Sequence, residues 1–372
     1  MSTAFGAVVG FESSGRPSGA NGLPSYPSDE LSFRLPDSPM LIMPHQPACV
    51  RVAALALAVS LLAGCGSGAP DGRYDRGRNG LWLQHGWLGH DSWFHRYKKT
   101  HLKEDFRDPE RVREMLSRDL QSLHFTDVFP HLAPTDREGR IQPVDHEQTL
   151  RFLQILSGIR VMPWVGGVEG KQVTLGDPQW RDAFARSIRI LLTRYPGLAG
   201  IHINIEPCPS GDPDFLELLD QVRAALPEGR VLSVAAFPPP TWWDLSSAVH
   251  WDEDYYREVA QRADQLVVMM YDTGLRFQWA YRWLVATWTG KILKWSGSTS
   301  VLLGLPAYED KHVPWHDPGV ENLGNALSGV KNGLGRFERV PPNYQGVAVY
   351  ADWELDEAKR SIFRREFLAD GD

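Results

Sequence analysis

The stretch Gly200-Ile201-His202-Ile203-Asn204-Ile205-Glu206-Pro207 decides the fold. It alternates between an apolar set (Ile201, Ile203, Ile205) and a polar set (His202, Asn204, Glu206), then stops at a proline. Successive side chains of a strand point to opposite faces, so the isoleucines share one face and the imidazole, amide and carboxylate share the other. The isoleucines read as core. Burying an unpaired carboxylate is costly, so the polar row must face water, a ligand or a hydrogen-bonded network.

Working outward, short apolar runs of the same kind recur from Asn79 onward: Leu81 to Gln84, Thr126 to Phe129, Val161 to Trp164, Gly200 to Ile205, Val231 to Ala235, Leu266 to Met270, Val301 to Leu305 and Val347 to Tyr350. Segments of helical period lie between them, among them Pro109 to Leu123, His146 to Leu156, Gln179 to Arg194, Pro213 to Leu226, Tyr255 to Arg262 and Ala280 to Leu293. Asp108-Pro109, Asp177-Pro178 and Asp212-Pro213 are N-cap signals, an acceptor side chain followed by a residue that needs no N–H. Eight strand–helix units in about 300 residues predict an α/β fold, a single (β/α)8 TIM barrel spanning 79–372. No Gly-x-Gly-x-x-Gly follows a strand, which argues against a doubly wound open sheet. Barrels of this type place working residues at the C-terminal strand ends. Glu206 is therefore expected at the floor of a cleft.

The region before Asn79 reads differently. Val52 to Leu62 is a short apolar run after Arg51, and it ends at Leu62-Ala63-Gly64-Cys65. A basic flank, a run too short to span a bilayer and a small-residue stop describe a secretory signal. The last four residues resemble the lipobox of bacterial lipoproteins, which implies lipidation of Cys65 and anchoring in the cell envelope, at the outer membrane or the periplasmic face. Residues 1–42, rich in Ser, Pro and Gly, cannot build a core, and Met43 or Met40 is the expected start. Residues 43–64 would be the signal peptide and 65–78 a flexible tether. The chain carries three cysteines, and Cys49 and Cys65 fall in that region, so Cys208 has no disulfide partner within the barrel. The formal net charge of −7 gives no basic footprint for nucleic acid.

Four strand ends carry the chemistry. They are Pro163-Trp164-Val165-Gly166-Gly167, His202-Ile203-Asn204-Ile205-Glu206, Met269-Met270-Tyr271-Asp272 and Trp353-Glu354-Leu355-Asp356, and Gly304-Leu305-Pro306-Ala307-Tyr308 ends another strand. In this order the set resembles the chitinase-like family-eighteen glycoside hydrolases, whose strands end in SxGG, DxxDxDxE, MxYD, GLPxYG and a tryptophan. Ala199, His202 and Asn204 stand where that family has aspartates, and Glu206 is retained. The resemblance implies substrate-assisted hydrolysis of an N-acetylhexosamine glycan, which needs one proton donor and no enzymic nucleophile. Glu206 would be acid and then base, Asn204 would accept the acetamide N–H, and Tyr271 with Asp272 would hold the acetamido group. Trp353 would floor the sugar site, with Trp164, His202, Met269, His85, Trp87 and Tyr308 lining it and His131 nearby.

Two alternatives stay open. Asn204 to Pro207 is a distant form of the Asn-Glu-Pro strand end of two-carboxylate glycosidases, with Glu309 as nucleophile. A glycan-binding barrel without turnover is the other, suggested by the three lost aspartates. No zinc-binding spacing and no Gly-x-Ser-x-Gly elbow occurs, so neither metal nor cofactor is expected.

Overall fold

The computed structural model describes residues 74–96, 98–243, 247–310 and 313–368. The expected extension, signal peptide and Cys65, with all but the end of the tether, lie outside them. Among the described residues no helix is long and apolar enough to cross a membrane.

Nine parallel segments form the sheet: β1 (Asn79–Leu83), β2 (Phe125–Pro130), β3 (Arg160–Val161), β4 (Trp164–Val168), β5 (Gly200–Glu206), β6 (Val231–Ala236), β7 (Gln265–Met269), β8 (Ser300–Pro306) and β9 (Tyr344–Tyr350). Each pairs with its chain neighbours except β3 with β4, and β1 pairs with β9, so the sheet curls on itself. β3 and β4 are two pieces of one barrel strand. Pro163 between them has no N–H to give the ladder, which interrupts the pairing there. The ring still closes across the break: β3 pairs with β2, β4 pairs with β5, the Ala199 N–H donates to Val161 O at 2.8 Å and the Leu132 N–H donates to Trp164 O at 2.8 Å. This is the eight-stranded barrel expected from the sequence.

Helices return along the outside: α1 (Asp91–Arg96), α2 (Lys103–Arg107), α3 (Pro109–Ser122), α4 (His146–Ile155), α5 (Pro178–Arg194), α6 (Pro213–Ala225), α7 (Glu253–Arg262), α8 (Gln278–Trp295), α9 (Leu323–Leu334) and α10 (Glu357–Glu366). The Asp-Pro signals act as predicted. The carboxylates of Asp108, Asp177 and Asp212 accept from the first-turn N–H groups of α3, α5 and α6, each worth about 1 kcal/mol. α9 and α10 were not singled out in the sequence.

Ile201, Ile203 and Ile205 are buried between barrel and helices, as their alternation required. Inside the barrel, Trp82, Phe129, Met162, Trp164, Val267, Leu302 and Ala348 fill the lower layer. Seven of the fourteen tryptophans are buried, and Trp242, Trp243, Trp279, Trp283 and Trp315 are exposed.

Candidate active site

The polar face of β5 enters the barrel, and its three side chains lie at different depths. His202 is deepest, with 0 % exposure, and pairs in register with Trp164 and Ser233. The indole Nε1–H of Trp82 can only donate, and it meets His202 Nε2 at 3.1 Å. The imidazole proton therefore sits on Nδ1, which donates to Ser233 Oγ at 2.9 Å. Ser233 donates to Gln265 Oε1 at 2.8 Å, Gln265 donates to Asp127 at 2.7 Å, and Arg160 grips Asp127 through two bonds of 2.7 and 2.5 Å. Burial holds the His202 pKa down at about 3, so the ring is neutral. The expectation that His202 lines a sugar site is corrected: both ring nitrogens are engaged inside the barrel and no surface remains for a ligand.

One step up, Asn204 donates through Nδ2 to Glu206 Oε1 at 2.9 Å, while its Oδ1 is buried and has no partner. Gly166 of β4 lies against this residue with φ +125°, and a Cβ there would sit 2.0 Å from the Asn204 carbonyl oxygen. Only glycine permits that backbone and that approach. Glu206, at the end of β5, is half-buried. Its pKa is pushed up to about 7, by burial first, with the Asn204 hydrogen bond acting in the opposite sense and the nearby Asp272 charge adding to the rise. A carboxyl group poised near neutrality can give a proton and take one back.

A wall of aromatic rings surrounds it. Tyr271 stacks on Tyr350 at 5.6 Å between centroids, and Tyr308 meets both edge-on. Tyr350 also meets Trp353 edge-on at 5.5 Å. Trp353 is half-buried, and its indole nitrogen has no partner. Next to it, Asp352 accepts from the Gln84 N–H and from Trp87 Nε1. Burial pushes its carboxyl up to about 7.

Asp272 follows β7 in the left-handed region, φ 61°, which Asp tolerates better than most residues. Its Oδ1 accepts the Tyr308 hydroxyl and lies 3.4 Å from His316 Nδ1. The same Nδ1 lies 3.6 Å from Glu321, which is fully buried and bound by the Thr273 N–H and hydroxyl. Asp272, His316 and Glu321 form the one group of His, Cys, Asp or Glu among the described residues whose polar atoms converge within 4.8 Å.

The structure thus brings Glu206, Asn204, Tyr271, Asp272, Tyr308 and Trp353 together at the C-terminal strand ends. Met269, His85 and Trp164 are buried beneath them. His85 donates through Nε2 to Ala133 O and stacks on His131, which in turn packs on Trp164. Trp87, 1 % exposed, is corrected from sugar contact to a brace for Asp352. Glu309 belongs to the surface: its side chain is 58 % exposed and pairs with Lys359 at 2.8 Å. Tyr350, His316, Glu321 and Asp352 were missed. Tyr350 could have been found as the last residue of a strand run, whereas nothing in the loop after β8 marks His316 or Glu321.

The sequence profile of glycosyl hydrolases family 18 matches residues 116–321. No curated protein matches the chain as a relative. Among solved structures, a class V chitinase from Pseudomonas fluorescens Pf-5 superposes with a TM-score of 0.51 at 11% identity, covering 76% of this chain and 98% of its own. The C-terminal domain of a candidate chitinase from Desulfitobacterium hafniense DCB-2 gives 0.50 at 14%, covering 77% and 98%. At such identities the superpositions speak for the fold, while the profile, which spans more than half of the chain from α3 through β8, speaks for descent. This barrel, with its carboxyl group poised near neutrality at the end of β5, belongs to glycosyl hydrolases family 18 and is a glycoside hydrolase.

Proposed function

We propose that the protein cleaves glycans containing N-acetylhexosamine, with the substrate's own acetamido group as nucleophile and Glu206 as acid and then base. The observation that carries this reading is the Asn204–Glu206 pair. Because the Asn204 amide nitrogen is committed to Glu206, its oxygen is left as a buried acceptor next to the acid. An acetamide N–H supplies the missing donor. That bond would turn the acetamide carbonyl toward the anomeric carbon.

Protonated Glu206 donates to the glycosidic oxygen as the bond to the anomeric carbon breaks, and the carbonyl oxygen closes on that carbon to form an oxazolinium ring. Water then opens the ring while ionised Glu206 takes its proton. Asn204 stands where the family has aspartate, so it accepts the N–H without offsetting the ring's positive charge. That offset falls to Asp272, whose field already reaches Glu206. Tyr271 would hold the acetamido group, and Trp353 would lie under the sugar ring, where an aromatic face suits its apolar side.

A two-carboxylate mechanism through Glu309 is disfavoured by the Lys359 pair and by the exposure of that side chain. A binding-only barrel is disfavoured by the raised pKa of Glu206, which glycan binding does not require. Incubation with N-acetylglucosamine oligomers, read by mass spectrometry, should yield shorter oligomers, and a thiazoline mimic of the closed ring should inhibit. Intact oligomers would leave binding alone. Resistance to the thiazoline, with covalent trapping of Glu309 by a fluorinated glycoside, would overturn substrate assistance.

The proposal includes lipidation at Cys65 and residence in the bacterial cell envelope, supported by Leu62-Ala63-Gly64-Cys65. A multiply acylated cysteine holds a protein at a membrane where one chain binds only marginally. Cys65→Ala should move the protein from the membrane fraction to the soluble one, and unchanged partitioning would sink the anchor.

A further inference from the structure

His316 belongs to no strand-end motif, yet it stands between two carboxylates at the back of the cleft. We propose that His316 is a positioning residue, an imidazolium held between Asp272 and Glu321 that fixes Asp272 beside the acid. This rests on the catalytic reading above for its consequence and on the geometry for its charge.

The ring has little freedom. It stacks on Tyr308 with centroids 4.0 Å apart and planes 19° from parallel, and its Nε2 lies 3.1 Å from Tyr308 O. A carbonyl only accepts, so Nε2 carries a hydrogen. A neutral ring would then turn the Nδ1 lone pair toward Asp272 Oδ1 at 3.4 Å and Glu321 Oε2 at 3.6 Å. Lone pair against two carboxylates is repulsive, and a proton on Nδ1 makes both contacts attractive. Neither contact is a short linear hydrogen bond, so charge carries the attraction.

Glu321 cannot swing away. Its oxygens accept from Thr273 N–H at 3.0 and 3.2 Å and from Thr273 Oγ at 2.7 Å. Thr273 follows Asp272, so one buried carboxylate holds both the backbone after Asp272 and the imidazole beside it. The other titratable groups near the two carboxylates are Glu206 and the hydroxyls of Tyr271, Tyr281, Tyr308 and Tyr350, and burial and the carboxylates keep all four hydroxyls neutral. Asp317, next in the chain, faces Arg276 at 3.7 Å.

A comparison within the molecule supports the assignment. Burial drives His85 and His202 down to about 3 and His131 well below its ordinary value. The same burial acts on His316, but Asp272 and Glu321 outweigh it and carry the ring up to about 9. The imidazolium cancels part of the Asp272 charge that Glu206 feels, and it holds the carboxylate that the Tyr308 hydroxyl also grips. Glu206 itself is faced by Asn204, Asp272, Tyr271 and Tyr350.

The experiment has one arm that needs no turnover. In ¹⁵N-labelled full-length protein, both nitrogens of His316 should be protonated at pH 7.5 and titrate near pH 9, while His202 stays neutral with its proton on Nδ1. Glu321→Gln keeps an acceptor for Thr273 and should lower the His316 titration. In a second arm, His316→Gln should cut kcat about 10- to 100-fold, the cost of a misplaced catalytic partner, with KM nearly unchanged and the basic limb of the pH profile moved upward. A neutral His316 at pH 7.5 would overturn the proposal. So would an unchanged kcat and pH profile in His316→Gln. Stoichiometric Zn²⁺ binding that displaced the Nδ1 proton would overturn it in favour of an ion. If wild type cleaves no glycan while His316 titrates near 9, the catalytic reading fails and the charge assignment stands.

Discussion

Two polar clusters share the interior of this barrel, one below the other along β5, and they differ in completeness. In the lower one, every donor from Trp82 through His202, Ser233 and Gln265 meets an acceptor, and the chain ends on Asp127 and Arg160. In the upper one, Asn204 Oδ1 and the Trp353 indole nitrogen have no partner, and Glu206 holds its proton to about pH 7. The lower cluster is finished by folding. The upper one has hydrogen-bonding capacity left for something else. Buried polar groups are nearly always paired, so orphans gathered around one poised carboxyl mark a place for a ligand.

The sharpest way to test that contrast is to change one member of each cluster. Glu206→Gln keeps the shape and removes the proton donor, so kcat should fall about 10² to 10⁴-fold with oligosaccharide binding intact. The raised pKa adds a signature in stability. The folded-state pKa, about 7, lies above the unfolded value near 4.3, so the ionised carboxylate is disfavoured in the folded protein. Wild type therefore loses stability as pH rises from about 4.5 to about 7, and the glutamine variant does not. With partial exposure discounted, the variant should be about 1 to 2 kcal/mol more stable than wild type at pH 8 and equal at pH 4. Denaturant melts at both pH values check this. An equal gap at both would mean that folding leaves the Glu206 pKa at its unfolded value.

His202→Leu should do the reverse. It strands the Trp82 N–H and leaves Ser233 without a donor in a fully buried site, each orphan costing about 1 to 3 kcal/mol. The expected loss is about 2 to 4 kcal/mol of stability, with kcat of the folded fraction nearly unchanged. A variant of normal stability with altered KM would return His202 to the cleft.

That prediction shows what the sequence could and could not tell. Alternation in Gly200 to Glu206 assigned the face of each side chain correctly, because period two is a property of the strand itself. Depth is a property of register with neighbouring strands, and His202 reaches the middle of the barrel because it pairs with Trp164 and Ser233. The eight strand runs and the Asp-Pro caps were legible for the same local reason. α9 was not, because Gly324, Gly329 and Gly333 make it read as a loop. Gly329 and Gly333 are there for packing: a Cβ on Gly329 would lie 2.6 Å from Val285 Cβ, and one on Gly333 2.6 Å from Thr289 Cβ, both on α8. Asp272 was found from its strand end, but His316 and Glu321 reach it across a long loop that local spacing does not constrain.

Gly166 joins the two strands on which the upper cluster depends. Gly166→Ala places a methyl 2.0 Å from the Asn204 carbonyl at a φ of +125°, so β4 and β5 must move apart. A loss of about 1 to 3 kcal/mol is expected from the strained backbone, and because the shift falls on Asn204, kcat should drop further than stability explains. Comparing kcat with the folded fraction measured by circular dichroism separates the two. Proportional losses would make Gly166 a folding residue only.

The smallest expected effect, and the finest test, is Asn204→Asp. The new carboxyl would lie 2.9 Å from Glu206 Oε1, where Nδ2 now donates. Two carboxyl groups so close share one proton and titrate as a pair, with apparent pKa values spread below and above those of isolated groups. Catalysis requires the singly protonated pair, so the profile should become a bell whose basic limb lies above the wild-type limb near pH 7 and whose acidic limb is new. At the optimum, the rate should stay within about 10-fold of wild type, because the introduced carboxylate, once ionised, still accepts the acetamide N–H and adds the negative charge that the closing ring lacks here. Asn204→Ala removes the acceptor altogether and should lose about 100-fold or more. If aspartate and alanine cost the same, the unpartnered Oδ1 is not the acceptor of the acetamide, and the incompleteness of the upper cluster has some other cause.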